Sequence, residues 1–176
     1  PSIVLGLFGM IIFVNFMKLE FSILSGALTL VLLNLPLLVR VTEDSIRAVP
    51  ASYREASLAL GATKLQTIFR AVLPSALPGI VTGITLTAGR ALGETAILIF
   101  TAGTTVSRFM YDTDLFAAGE TLAVHLWYLM SIGLVPDRDM IADGIGALLI
   151  LMILCFNLLL VLPLRIMQKK MGITEK

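Results

Sequence analysis

Arg90 and Glu94 lie four residues apart in Thr87-Ala-Gly-Arg-Ala-Leu-Gly-Glu-Thr95, inside an otherwise apolar run. A charge held in hydrocarbon costs about 3 kcal/mol or more, so the pair should face a protein interior or an aqueous path. If the run begins near Leu77 and rises about 1.5 Å per residue, Arg90 stands roughly 20 Å along it, past the midplane. A guanidinium there presents a planar fork of donors suited to a tetrahedral oxyanion. Glu94 would neutralise Arg90 when such a path is empty, and would keep an anion from binding too tightly to leave. The competing reading is an intrahelical ion pair that only holds the helix in place, although Arg before Glu is the poorer order for such a pair. At about 100° per residue, Gly79, Thr82, Gly83, Gly89, Arg90, Gly93 and Glu94 share one side. The Gly79-x-x-x-Gly83 and Gly89-x-x-x-Gly93 spacings on that side favour close helix packing.

The elements that would carry this pair are membrane spans. The chain of 176 residues is 57% hydrophobic and 14% charged, with a mean hydropathy of +0.96. Such values exclude an ordinary soluble domain. Four spans are expected, over residues 2–17, 23–39, 77–102 and 141–164. The first is short for a crossing of about 20 residues and is loosened by Gly6 and Gly9, so it reads as a truncated or a broken helix. A tight polar break follows at 18–20, and Pro36 should kink the second span. Asn34 is expected to bond to a neighbouring helix rather than to a ligand. The chain opens at Pro1 in an apolar stretch without a basic flank, which is not a signal peptide and reads as the start of a fragment. Cys155 sits in the last apolar run as a filler, so neither a disulfide framework nor a metal cluster is expected.

Two stretches between the spans differ in kind. Residues 103–140 are mildly amphipathic and carry His125 beside Leu126-Trp127-Tyr128, which suggests a helix lying at the membrane interface in an extracytoplasmic loop. Asp112, Asp114, Asp137 and Asp139 there read as a solvated face. Residues 49–78 are neither apolar enough to span nor loose enough to be a tail. They read as two short helices: a capping box at Ser52 to Glu55, a C-cap glycine at Gly61, a second capping box at Thr63 to Gln66, and a stop at Pro74 and Pro78. Small residues at 56, 57 and 59 allow a partner surface to approach, and Glu55 either meets a basic rim or merely caps its own helix. Arg40, Arg47, Arg54, Lys64 and Arg70, with Arg165, Lys169, Lys170 and Lys176, outweigh Lys18, Arg108 and Arg138 on the other side. The positive-inside rule then places the 49–78 stretch and the C-terminus in the cytoplasm.

Glu55-Ala56-Ser57, Gly61 and Leu73-Pro74 resemble the EAA loop of ABC-importer membrane subunits, with Ser57 for the second alanine and Ala71 where a branched residue is usual. Gly89-Arg-Ala-Leu-Gly-Glu-Thr-Ala96, running on to Phe100-Thr-Ala-Gly103, resembles the membrane subunits of phosphate importers. Together with Pro1-Ser-Ile-Val4, Gly6-Leu7 and Leu35-Pro36, Arg40, Thr42-Glu43, it is most similar to their A-type subunit. The resemblance implies an all-α membrane protein: four spans of a six-helix, type I, MetI-like permease, with residues 1–176 as the C-terminal part of one transmembrane domain. It implies that residues 50–74 form the cytoplasmic coupling loop, with Glu55, Ala56, Ser57, Gly61, Leu73 and Pro74 as its coupling residues, and that Arg90 and Glu94 line the substrate path. It further implies a multi-pass inner-membrane subunit that imports phosphate without being an enzyme. The partners implied are an ABC ATPase dimer that carries the ATP, a homologous C-type second permease, a phosphate-binding protein outside the membrane, and lipid.

Other readings fit fewer residues. Sulfate and molybdate permeases carry a related run, usually with an aromatic where this chain has Thr95. A channel or structural membrane subunit would explain Arg90 and Glu94 but leave the coupling loop without purpose. An intramembrane enzyme lacks its inventory: His125 stands alone, and no H-E-x-x-H or G-x-S-x-G occurs. No Walker A loop is present, no cofactor or metal is expected on the chain, and nothing points to nucleic acid.

Overall fold

A computed structural model describes residues 2–106, 113–133 and 135–170, with side chains described as far as residue 162. The described residues form helices and connecting turns, with no strand among them. In chain order the helices are α1 (Ser2–Phe16), α2 (Ile23–Arg47), α3 (Ala51–Ala59), α4 (Lys64–Leu92), α5 (Ala96–Thr101), α6 (Leu122–Ser131) and α7 (Arg138–Lys170). Three of them, α2, α4 and α7, are long and apolar enough to cross a membrane. The first apolar run makes the shorter α1, which widens into a π-helix from Met10 to Phe16.

Arg108, Asp112 and Lys176 lie outside the described residues, as do the side chains of Arg165, Lys169 and Lys170.

The described residues divide into two units. The first takes those up to Leu35 and from Gly89 to Cys155. Its core joins Leu98, Ala102 and Val124, with Leu30 and Ile99 packed against them. Gly6 lets α1 approach Ile97 and Phe100 of α5, where an added Cβ would come within 3.2 Å. Ser22, Ser25, Thr29 and Thr101 are fully buried. Each hydroxyl is satisfied nearby: Ser22 and Ser25 join at 2.9 Å, Thr29 donates to the Ser25 carbonyl and Thr101 to that of Ile97. Lys18 and Glu20 both take φ of 55°, the left-handed region, in the tight break before α2,.

The second unit, residues 36–88 and from 156 onward, has Val49, Val72 and Ala76 at its core, with Ile46 and Ile80 against them. Here the first glycine pair packs as its spacing predicts. An added Cβ would stand 2.5 Å from Ser45 Oγ at Gly79 and 2.5 Å from Val41 Cγ1 at Gly83.

Several expectations are corrected. The third span does not run from 77 to 102: α4 begins at Lys64 and stops at Leu92. Pro74 and Pro78 do not end a helix but lie within α4; before Pro74 the turn widens to a π-helix over Ile68–Val72. Proline's missing N–H and its ring conflict with the four-residue hydrogen-bond register, and a π turn is one way to admit them. Asn34 donates to Leu30 O of its own helix at 3.0 Å rather than to a neighbour, and its Oδ1 is buried without a partner among the described residues. Among the described residues of 103–140 the helices are the ten-residue α6 and the start of α7 at Arg138.

Candidate functional site

The hairpin of α3 and the start of α4 is built by short-range rules. Pro50 precedes the first turn of α3 and no side chain caps it, so the predicted box at Ser52 does not form. Ser52 already lies inside the first turn, past the position from which a hydroxyl reaches the orphan N–H groups. At the other end Gly61 takes φ of +80°. The Gly61 N–H donates to Leu58 O at 2.9 Å and the Ala62 N–H to Ser57 O at 3.2 Å, the paired bonds of a Schellman ending. Thr63 and Gln66 form the predicted box reciprocally, at 2.9 and 3.3 Å. The two arms are tied by Ser57 Oγ and Thr67 Oγ1, 3.0 Å apart. Arg54 pins α3 to the end of α2 by donating to Ile46 O at 3.0 Å.

Glu55, Ala56 and Gly61 are exposed on this hairpin, and Ser57 is turned inward by its bond to Thr67. Glu55 neither caps α3 nor joins an ion pair among the described residues. Leu73 and Pro74 are half-buried further along α4, at the end of the π turn. Sequence reasoning missed the apolar residues that share the exposed surface: Leu60 is 89% exposed, Leu65 68% and Phe69 60%. Their signal was available, since leucines flank Gly61 on both sides at positions where a solvated loop would be polar.

Arg90 and Glu94 are not brought together. Arg90 is exposed in the last turn of α4, where a cation meets the carbonyl end of the helix favourably,. The chain then leaves the helix through two tight turns, Gly93 N–H to Arg90 O at 3.2 Å and Glu94 N–H to Ala91 O at 3.3 Å. Glu94 is therefore half-buried in the break before α5, not one helical turn beyond Arg90, and no ion pair joins them. The second glycine spacing fails with it, because Gly93 is outside the helix and Gly89 has nothing within 4 Å. The Arg90 guanidinium makes no hydrogen bond among the described residues; a fork of donors of this kind suits an anion.

His125 is not alone. Its Nδ1 lies 2.5 Å from Glu120 Oε1, and the Glu120 side chain is only 7% exposed. Glu120 Oε2 is buried without a hydrogen-bond partner among the described residues. The pair borders an open cleft of about 360 Å³ with Ile23, Asp114 and Thr121. Thr121 caps α6 by accepting the Val124 N–H at 3.3 Å.

A family model described as the binding-protein-dependent transport system inner membrane component matches residues 1–173. Over 168 residues, 90% of this chain and 57% of the relative, the sequence is 45% identical to the probable ABC transporter permease protein YqgI of Bacillus subtilis (strain 168). It is 36% identical over 170 residues to the phosphate transport system permease protein PstA of Yersinia pestis, covering 97% of this chain and 55% of that one. A PstA of Xylella fastidiosa (strain 9a5c) is 48% identical over 102 residues, 58% of this chain and 36% of the relative. The chain thus spans about half the length, or less, of the curated relatives it matches. No solved structure matches it.

Proposed function

This chain belongs to the family of binding-protein-dependent transport system inner membrane components, and we propose that it forms the part of a phosphate importer's permease that holds both the dock for the ATPases and a piece of the anion path. The observation that carries the reading is the contrast along α4. An exposed hairpin of two stapled helices stands at its start, and an arginine whose guanidinium makes no hydrogen bond among the described residues stands at its end. A phosphate oxyanion can take two parallel N–H donors from such a fork. Similarity to one PstA over nearly the whole chain, and to others over 58% of it, supports phosphate as the cargo.

In this reading Glu55, Ala56, Gly61 and the exposed Leu60, Leu65 and Phe69 face a groove on an ATPase that hydrolyses the ATP. Ser57 holds the arms together, and Leu73-Pro74 joins the dock to the span. The excess of Lys and Arg around the hairpin puts it in the cytoplasm. A homologous second permease completes the path, and an external phosphate-binding protein delivers the cargo. Trp127 and Tyr128, 41% and 38% exposed, set α6 at the lipid interface. ATP-driven closure of the ATPases rocks the spans about Arg90 in an alternating-access cycle.

The test is competitive uptake by the full-length transporter in cells lacking their native phosphate importer. Labelled phosphate should enter and be unaffected by excess sulfate or molybdate. Uptake of either of those ions in place of phosphate would keep the permease assignment and replace the cargo. Leu60→Asp and Glu55→Ala should lose the ATPases on purification while remaining in the membrane; retention of the ATPases by both would remove the hairpin from the dock.

A further inference from the structure

Between the hairpin and the packed part of α4, the backbone ladder is interrupted repeatedly within a dozen residues. Over Ile68–Val72 the hydrogen bonds reach five residues instead of four, ending with the Leu73 N–H on Ile68 O. Pro74 then has no N–H for Arg70 O, and Pro78 has none for Pro74 O,. The Ser75 hydroxyl turns back onto Ala71 O at 2.8 Å, as those of Thr82, Thr85 and Thr87 do onto Pro78, Val81 and Gly83 further along α4. Such back-bonding runs on along α4, so the widened turn and the two missing proline donors are what single out this stretch. Kinks concentrate at prolines and π turns.

The flanks are stiff by comparison. On one side stand the Schellman ending, the Thr63 box and the Ser57–Thr67 bond. On the other, Gly79 and Gly83 are pressed against Ser45 and Val41 with no room for a methyl group. The widened turn also has a packing reason. Thr67 and Val72, five apart, are both buried, and Ala76 follows four later. A register reaching five residues stacks Thr67 near Val72, whereas an α-helix would turn one of them out. Val72 and Ala76 then sit on Val49 as a small pivot of apolar contacts.

We propose that residues 68–78 are a compliant joint, so that the docking hairpin swings on the Val49, Val72 and Ala76 cluster instead of driving α4 as a rigid rod. That it transmits ATPase motion rests on the function proposed above; that it yields before its flanks does not. The experiment is amide hydrogen exchange on the full transporter with its ATPases, with and without trapped ATP. Amides of Phe69 to Leu73 should exchange at least tenfold faster than those of Val81 to Thr85, and their rates should change at least fivefold when ATP is trapped. Replacing Pro74→Ala and Pro78→Ala together restores both donors. It should slow exchange at 69–73 at least tenfold and lower phosphate taken up per ATP hydrolysed at least fivefold in the assembled complex. Should the double variant not assemble, Pro78→Ala alone and Ser75→Ala carry the same readouts in the same directions with smaller size. Equal exchange in the two segments, or a restored ladder that leaves both exchange and the transport ratio unchanged, would overturn the joint. If the exchange contrast holds but trapped ATP and the restored ladder leave transport coupling untouched, the joint stands and the docking reading fails.

Discussion

The two ends of α4 are made by different physics. Its start is a hairpin in which each feature follows from residues fewer than a dozen positions apart: a glycine at φ of +80°, a reciprocal box between Thr63 and Gln66, a hydroxyl bond between Ser57 and Thr67. Its end at Leu92 is marked more weakly, by Arg90 in the last turn, Gly93 just after it and two turn bonds,. Arg90 is left exposed there and Glu94 falls into the break, although Arg-Ala-Leu-Gly-Glu reads as continuous helix by period. A locally specified element tolerates change in its surroundings and can serve as a detachable dock.

That contrast predicts a graded set of responses. The largest belongs to helix packing: Gly83→Leu drives a side chain into Val41, where a single added Cβ already comes to 2.5 Å. Overpacking of this kind costs about 1–3 kcal/mol, so the melting temperature of the purified transporter should fall clearly. Unchanged melting would mean that α2 and α4 are not pressed together at this point. Gly61→Val places a β-branched residue in the left-handed region with no neighbour to relieve it. It should cost roughly 1–2 kcal/mol and loosen the ATPases without removing the chain from the membrane. Thr63→Ala removes half of the capping box and should cost about 1 kcal/mol, read as faster amide exchange confined to the first turn of α4. Spread of that effect to residues beyond Gly79 would break the claim that the hairpin is locally specified. The smallest response is expected from Arg47→Ala, which removes an ion pair with Glu43 whose partners are 75% and 53% exposed. Its effect on stability should stay below about 1 kcal/mol.

What was legible in the sequence divides along the same line. Gly61 and the Thr63 box were readable because backbone sterics and first-turn donors act over three or four residues. Gly79 and Gly83 were readable because close packing needs small residues at a fixed spacing. Ser52 was misplaced by two residues, since the helix starts after Pro50 and a box motif does not say which hydroxyl stands outside the first turn. Pro74 and Pro78 were read as stops because proline breaks an α-register; no local pattern announces a π turn that accommodates it. The buried hydroxyls Ser22, Ser25, Thr29 and Thr101 and the Glu120–His125 pair come from segments up to eighty residues apart or from a loop folded on itself. Composition registered them only as polar residues scattered in an apolar chain. The candidate path residues were found by charge alone, and their separation depends on where α4 ends.

The measurement that bears most directly on the account is phosphate uptake by the full-length transporter carrying Arg90→Gln, beside Arg90→Lys and the parent, with membrane level and bound ATPase determined for each. Glutamine keeps length and polarity but lacks both the charge and the donor fork. The account predicts normal assembly with uptake reduced at least a hundredfold for Arg90→Gln, and partial uptake for Arg90→Lys, which retains charge without the bidentate geometry. Parent-level uptake by an assembled Arg90→Gln transporter would contradict it, and would return Arg90 to the role of a cation closing the end of a helix.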